Sequence, residues 1–587
     1  MFRLFKRLEK KQFFLAFIVA VLVFIQVWLE LKIPEYMAAV TRLVQTPGSQ
    51  LSDIWTNGLY MLLFAIISMI IAILTGYLIS YIASKLSFNL RKSLFEKVSR
   101  FSQTDINKFS TSSLITRSTN DITQVEMFIS MGLMVILRSP LMAIWAITKI
   151  IGKGYQWTIA TAVALLIMLL FILFLVIKVV PKFKIIQRLT DKLNSVSREN
   201  LSGIRVVRAF NAEDYQEEKT LKVNEELTAT QKFTQKSFAI MQPLIMTLMY
   251  TLTLSIYLIG AALIQDAIFS EKIEIFGNMI VFSSYAMQVI MSFLMVAFML
   301  IFISRGQVSA ERINNVLDTE STLRDGNFDG NTDIEGEVEF RNVLFSYPGA
   351  KEPVLHNISF KANKGDTIAF IGATGSGKTT LINLILRFFD ATEGQVLVDG
   401  VDVKDYKMDA LYEKLGYVSQ KAVMFNLSVK DNIAFGKAKE EISHEDVIDA
   451  IEVAQAKDFI EKMDEKEDSM IERGGTNISG GQKQRISIAR AVARKPEIFI
   501  FDDSFSALDF KTESNLRQKL DEYTKDATSL VVASRVGTVL NADKIVVLNE
   551  GKVECIGNHK ELIKNCDFYR QIALSQLSEE EINESIK

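Results

Sequence analysis

The sequence predicts a multi-domain chain in which an all-α membrane half precedes an α/β half. Three observations carry that prediction. First, 49% of the 587 residues are hydrophobic while 23% are charged, and the mean hydropathy is +0.20. Both values are high, so apolar and charged residues must be segregated along the chain. Second, the N-terminal half holds six apolar runs near the ~20 residues that cross a bilayer core as a helix. Third, from Val338 onward short apolar runs alternate with helical patterns, as in an α/β domain. The length itself exceeds one domain of about 100–200 residues.

The apolar runs fall at 13–31, 59–82, 127–147, 157–180, 238–264 and 275–303. Loop charge orients them. Arg3, Lys6, Arg7, Lys10 and Lys11 precede the first run. Lys85, Arg91, Lys92, Lys97 and Arg100 follow the second, and Lys182, Lys184, Arg188, Lys192 and Arg198 follow the fourth. The intervening loops are poor in cations, so the N-terminus and everything after the sixth run are expected on the cytosolic side of a multi-pass protein of the cell membrane. The two basic loops contain little Pro or Gly, so the flanking spans should continue as helical stalks. Some 20 extra residues at 1.5 Å each would reach roughly 30 Å beyond the membrane.

The expected boundaries are a membrane domain over 1–318, a Gly/Asp/Asn-rich linker over 319–336, an α/β domain over 337–580 and a tail over 581–587. Candidate strands are 368–371, 498–501, 530–533 and 545–548. The net charge of −2 gives no global electrostatic case for nucleic acid as a partner. Eight prolines exclude a Pro-rich disordered chain. Cys555 and Cys566 are too few for a disulfide framework and suit a reducing compartment. Three histidines leave little material for a histidine metal site.

The apolar strand 368–371 runs into Gly372, Ala373, Thr374, Gly375, Ser376, Gly377, Lys378 and Thr379, and a helical pattern opens at Thr380. This is the P-loop pattern in its strand–loop–helix setting. Its backbone N–H groups can close around phosphate oxygens at a helix N-terminus. Lys378 is placed for the β and γ phosphates, and the Thr379 hydroxyl for Mg²⁺. Residues 372–380 are the expected nucleotide-binding set. A second apolar strand, 498–501, ends in Asp502 and Asp503, where a P-loop nucleotidase holds Mg²⁺. ATP and Mg²⁺ are therefore the expected ligands.

With Ser479, Gly480, Gly481 and Gln482 following the P-loop by about a hundred residues, the chain resembles an ABC exporter half-transporter of the multidrug and lipid A type. That resemblance implies a six-helix transmembrane domain with long cytosolic extensions, followed by an α/β P-loop ATP-binding cassette domain. It implies that Tyr347 stacks on adenine, that Gln420 senses Mg²⁺, that Ser479–Gln482 form the signature, and that residues 506–509 form the D-loop. It also places 114–121 after the first coupling helix and 203–210 before the second. Two departures stand out. The family's catalytic glutamate is here Asp503, one methylene shorter, so its carboxylate falls about 1 Å short of the attacking water. A misplacement of that size costs on the order of 10²-fold. The family's switch histidine is here Ser534, which brings no cationic donor.

Two such changes beside a sound signature imply the degenerate subunit of a heterodimer. The partner would be a non-identical half-transporter carrying the Walker B glutamate and the switch histidine. A homodimer with two slow sites is the competing arrangement. Small amphipathic compounds are the expected cargo and membrane lipid the surroundings. The same scaffold also serves peptide, siderophore, haem or thiol transport, or a mainly regulatory ATP-binding subunit. Met287, Met291, Met295 and Met299 form a slanted stripe on span six, either packing or a cavity fitted to many apolar shapes. Glu30 and Arg138 are intramembrane charges that suggest function by default. Glu30 could pair with a cationic cargo or with Arg138.

Overall fold

The computed structural model describes residues 9–151 and 153–586. Arg3, Lys6 and Arg7 lie outside them. The chain forms two compact units: residues up to Ser99 with Thr111–Thr319, and Arg100–Ser110 with Glu320 onward.

The first unit is helical. It comprises α1 (Lys10–Gln45) and α2 (Leu51–Ser99); α3 (Gln103–Phe109), next in chain order, belongs to the second unit. It continues with α4 (Ile122–Ile150), α5 (Tyr155–Phe174), α6 (Val180–Ser202), α7 (Glu213–Asp266) and α8 (Phe269–Leu317). Among the described residues, six helical stretches are long and apolar enough to cross a membrane. The stalks expected from the basic loops are present: α7 has 54 residues, roughly 80 Å of helix against a ~30 Å hydrocarbon core. Buried Val19, Val23 and Val27 recur every fourth residue on α1, which turns one stripe inward. Exposed Phe14, Phe17, Leu166 and Leu170 cover outer faces suited to lipid.

Several polar side chains inside the bundle are paired, whereas, among the described residues, the Thr75 and Ser87 hydroxyls are buried without a hydrogen-bond partner. Tyr285 on α8 donates to the Leu31 carbonyl at 2.8 Å, and the Trp157 indole donates to Ile256 O at 3.1 Å. Of the two partners left open for Glu30, the structure supplies Arg138, whose Nη2 lies 2.8 Å from Oε2 and 3.0 Å from Oε1. Gln26 donates to the same carboxylate at 2.9 Å. Asp121 accepts from Ser309 at 2.9 Å, with Arg312 3.6 Å away.

The second unit is built on a six-stranded sheet in the order β10-β9-β3-β8-β7-β6. Its strands are β3 (Thr367–Gly372), β6 (Leu415–Val418), β7 (Ile498–Asp502), β8 (Thr528–Val532), β9 (Lys544–Asn549) and β10 (Lys552–Gly557). The pairings from β9 through to β6 are parallel, and β10 is antiparallel to β9. Every residue of β7 and β8 is buried, and each carries an apolar stretch, 498–501 and 530–532. A second, antiparallel sheet holds β1 (Val338–Phe345), β2 (Leu355–Ala362), β4 (Glu393–Val398) and β5 (Val401–Asp402), in the order β2-β1-β4-β5. The candidate strands read from the sequence lack this sheet because its strands alternate buried and exposed residues over short spans. Lys414 sits between Asp399 and Glu497, 2.7 Å from each carboxylate, with the Asp399 side chain wholly buried.

Two expectations need correction. Cys555 on β10 and Cys566 are joined in a disulfide, with Cα atoms 6.3 Å apart. The turn from β10 into the helix His559–Asn565 brings them within bridging range. Residues placed in a tail are also folded: 579–586 form a helix that Ser578 caps through Glu581.

The short helix α3 owes its place in the second unit to Asp105. This residue is 2% exposed, and its carboxylate accepts from Ser102 N (3.1 Å), Ser102 Oγ (2.8 Å), Thr322 N (3.2 Å) and Ser321 Oγ (3.2 Å). Burial works to raise its pKa, but these donors outweigh burial and hold it below the usual aspartate value.

Candidate nucleotide site

The site is assembled at the C-terminal ends of β3, β7 and β8. β3 ends at Gly372, and the helix α9 (Lys378–Ile385) opens six residues on. A Cβ on Gly372 would run into the Leu548 carbonyl of β9, so no other residue fits there. Gly377 has φ +97°, with the Leu355 side chain 2.6 Å from where a Cβ would stand. The loop 373–377 is thereby held close against the sheet, with its N–H groups at a helix N-terminus. Lys378 folds back on it, donating to Gly372 O at 2.8 Å and Ala373 O at 2.9 Å. Burial pushes the ammonium pKa down, opposed by Asp503 and Asp502. Ser376 is buried within the loop, its hydroxyl 3.4 Å from Lys378 Nζ.

Thr379 Oγ1 donates to Asp502 Oδ1 at 3.0 Å. Asp502 is 3% exposed. Burial raises its pKa, and the charge of Asp503 adds to that against Thr379 and Lys378. A buried carboxylate short of positive partners, beside a threonine hydroxyl, is an all-oxygen donor set of the kind Mg²⁺ takes. Asp503 follows in the left-handed region at φ +46°, with its N–H bonded to Val532 O at 3.0 Å. Gln420 Nε2 donates to Asp503 Oδ2 at 3.1 Å. Asp503 is thus engaged by the glutamine after β6.

Tyr347 is half-buried, its ring edge-on to Phe345 and Phe389. Its hydroxyl lies 2.9 Å from Thr380 Oγ1. The Thr380 hydroxyl thus ties the first turn of α9 to Tyr347.

Ser479 caps α10 (Gly480–Ala493) through a reciprocal pair. Gln482 N donates to Ser479 Oγ at 3.3 Å, and Ser479 N donates to Gln482 Oε1 at 2.8 Å. Ser479 and Gly480 are exposed, and Gly481 backs onto Ala507 O. Both bonds lie within the turn itself. Ser534, exposed after β8, offers its carbonyl to Gln576 at 3.0 Å.

Several residues that hold the site together carry no sequence signal. Gln484 on α10 donates to Ser419 O at 3.1 Å, tying the signature helix to the segment that carries Gln420. Arg490 donates to Asn432 O at 2.7 Å and Val423 O at 3.1 Å. Burial lowers its pKa to about 10. Their helical spacing on α10 is visible in the sequence, but their backbone partners are not.

A strand–P-loop–helix with an acidic strand tip, preceded by six membrane-length helices, defines a membrane transport ATPase. The model of the ABC transporter transmembrane region matches residues 13–293, and that of the ABC transporter matches 355–506. An uncharacterized ABC transporter ATP-binding protein of Bacillus subtilis is 33% identical over 90% of this chain and 91% of its own length. The ATP-dependent lipid A-core flippase of an Escherichia coli strain is 32% identical over 86% of each. A bacterial Atm1-family ABC exporter with ATP bound superposes with TM-score 0.76 at 22% identity, covering 97% of this chain and 99% of that one. The chain belongs to the ABC transporter family, as an exporter half-transporter with an ATP-binding domain.

Proposed function

We propose that this chain is the degenerate-site subunit of a heterodimeric exporter that moves amphipathic compounds outward across the cytoplasmic membrane. Its helical stalks and nucleotide domain lie on the cytosolic side. The observation that carries this reading is the contrast between Asp503 with Ser534 and the intact, exposed cap at Ser479.

Loop 372–377, Lys378 and Thr379 bind and orient the ATP phosphates, and Tyr347 presents its ring to the base. Thr379, Asp502 and Gln420 would hold Mg²⁺, which when bound neutralises phosphate charge. Asp503 is short and occupied by Gln420, so it is a poor acceptor for the attacking water's proton. Ser534 brings no cation to the γ-phosphate. The signature turn of α10 instead completes a site on the partner half-transporter, which carries the glutamate and histidine missing here. Closing and reopening of the nucleotide domains drives the stalks. Cargo is met by the apolar face of α8, where Met291 and Met295 are 40% and 44% exposed. Met299 is buried on Gly132, so only part of the stripe is open.

The test is the purified chain alone in lipid nanodiscs. It should bind ATP, lose that binding on Lys378→Ala, and turn ATP over poorly. Brisk Mg-ATPase from the lone chain, with mass excluding a partner, refutes the degenerate assignment.

A further inference from the structure

The segment 534–538 after β8 is tethered at each residue. Gln576, in the turn between the helices Asp567–Leu574 and Glu579–Ile586, uses both ends of one amide on it. Its Nε2 donates to Ser534 O at 3.0 Å, and its Oε1 accepts from Val536 N at 2.8 Å. The helix Phe510–Tyr523 that follows the D-loop supplies the rest. Arg517 donates to Gly537 O at 2.9 Å, and Glu513 accepts from Thr538 Oγ1 at 2.9 Å. Arg535 lies 3.6 Å from Glu513, its guanidinium 5.4 Å from the Phe510 ring centre. The cation next to Ser534 in sequence is thus drawn to the D-loop helix.

The Gln576 turn is itself fixed. Leu577 N bonds to Ala573 O at 2.9 Å, and Ser578 caps the last helix. That helix is docked by Ser585, 2.9 Å from His559 Nε2, while His559 Nδ1 lies 2.8 Å from the Tyr569 hydroxyl.

We infer that Gln576 is a positioning residue: with the D-loop helix it holds 534–538 in one arrangement, so that in this chain the switch segment does not follow nucleotide occupancy. This deepens the degenerate-site reading and rests on it. A side-chain amide bridging two backbone groups two residues apart stiffens the loop where a histidine-bearing switch would have to move.

The experiment is hydrogen exchange of the full-length chain in nanodiscs, with and without ATP, read over 530–540. In the wild type the protection of 535–537 should be high and unchanged by ATP. Gln576→Ala removes two hydrogen bonds, so exchange there should rise roughly 5- to 30-fold and become ATP-responsive. Gln576→Glu keeps an acceptor for Val536 N–H but loses the donor to Ser534 O, so it should fall between. Unaltered exchange at 579–586 in Gln576→Glu separates loss of the clamp from unfolding of the C-terminal helix. The inference is overturned if wild-type 535–537 exchanges freely, if ATP alters its protection strongly, or if both variants match wild type. Lys378→Ala reports on the underlying reading separately: ATP retention equal to wild type would sink the nucleotide site, while the comparison without ATP still judges the clamp.

Discussion

Asp503→Asn and Ser479→Arg should differ sharply in cost, although both alter motif positions of one nucleotide domain. Asparagine keeps the volume of Asp503 and tolerates its φ of +46° as aspartate does. Its amide oxygen can still accept from Gln420 over the 3.1 Å contact. Only a charge is lost, and on the degenerate-site proposal that carboxylate is too short to act, so ATPase activity of the assembled transporter should fall by less than about tenfold, the scale of one ordinary hydrogen bond. Ser479→Arg removes the N-cap of α10, worth about 1 kcal/mol, or roughly 2–4 °C in the Tm of a domain this size. It also puts bulk and charge where the exposed turn would meet the partner's γ-phosphate. Loss of one preorganised donor there typically costs about 10²–10³ in rate. Steady-state ATPase and Tm of the two mutant complexes, purified in nanodiscs, decide the matter. Ser479→Gly is the stability control, since glycine at an N-cap costs only a few tenths of a kcal/mol. If Asp503→Asn is as crippling as Ser479→Arg, this chain's own site hydrolyses ATP and the asymmetry is wrong.

Other outcomes follow from the geometry. Lys414→Met strands the buried Asp399 carboxylate, so the nucleotide domain should lose about 3–5 kcal/mol, measured by denaturant unfolding; Lys414→Met with Asp399→Asn should recover most of it. Asp105 has a depressed folded pKa, so its stabilisation is present above the ordinary aspartate value of about 4 and is lost as pH falls through the lower folded value. Protection of 100–110, relative to the intrinsic exchange rate at each pH, should therefore fall below about pH 4 in the wild type and stay constant there in Asp105→Asn. Met291→Ala or Met295→Ala should shift the profile of transported compounds with basal ATPase near wild type; unchanged transport of every compound tested would mark these side chains as lipid-facing. Arg138→Met should destabilise the membrane unit in a thermal assay by leaving Glu30 unpaired, and Glu30→Gln in the same chain should relieve it.

The parts of the fold legible in the sequence are those whose physics is local. The P-loop can be read because Gly372 and Gly377 answer to backbone geometry that no side chain tolerates. β7 and β8 can be read because strands buried on both faces leave short apolar stretches, 498–501 and 530–532. The membrane helices can be read because hydrocarbon thickness sets the least length of their apolar stretches. What stays hidden depends on side chains meeting backbone far away in sequence. Gln576 reaches back 42 residues to Ser534, and Gln484 reaches back 65 to Ser419; neither leaves a periodic trace. The Cys555–Cys566 pairing depends on how β10 turns into the next helix. The antiparallel sheet is obscured by mixed burial along β2 and β4.

The placement of 100–110 with the nucleotide domain has a consequence for how the protein is made. Asp105 and its donor Thr322 are 217 residues apart. At ribosomal rates of about 5–20 residues per second, roughly 10–40 s pass between their synthesis. For that interval the first basic loop carries an aspartate whose donors from 321–322 do not yet exist, while the later membrane helices are still being made. Docking of this loop must then be a late event, timed by the exit of the chain's second half. Grafting a nucleotide domain from another transporter onto this membrane half would therefore leave 102–109 without the serine and threonine they await, unless the graft begins downstream of Thr322.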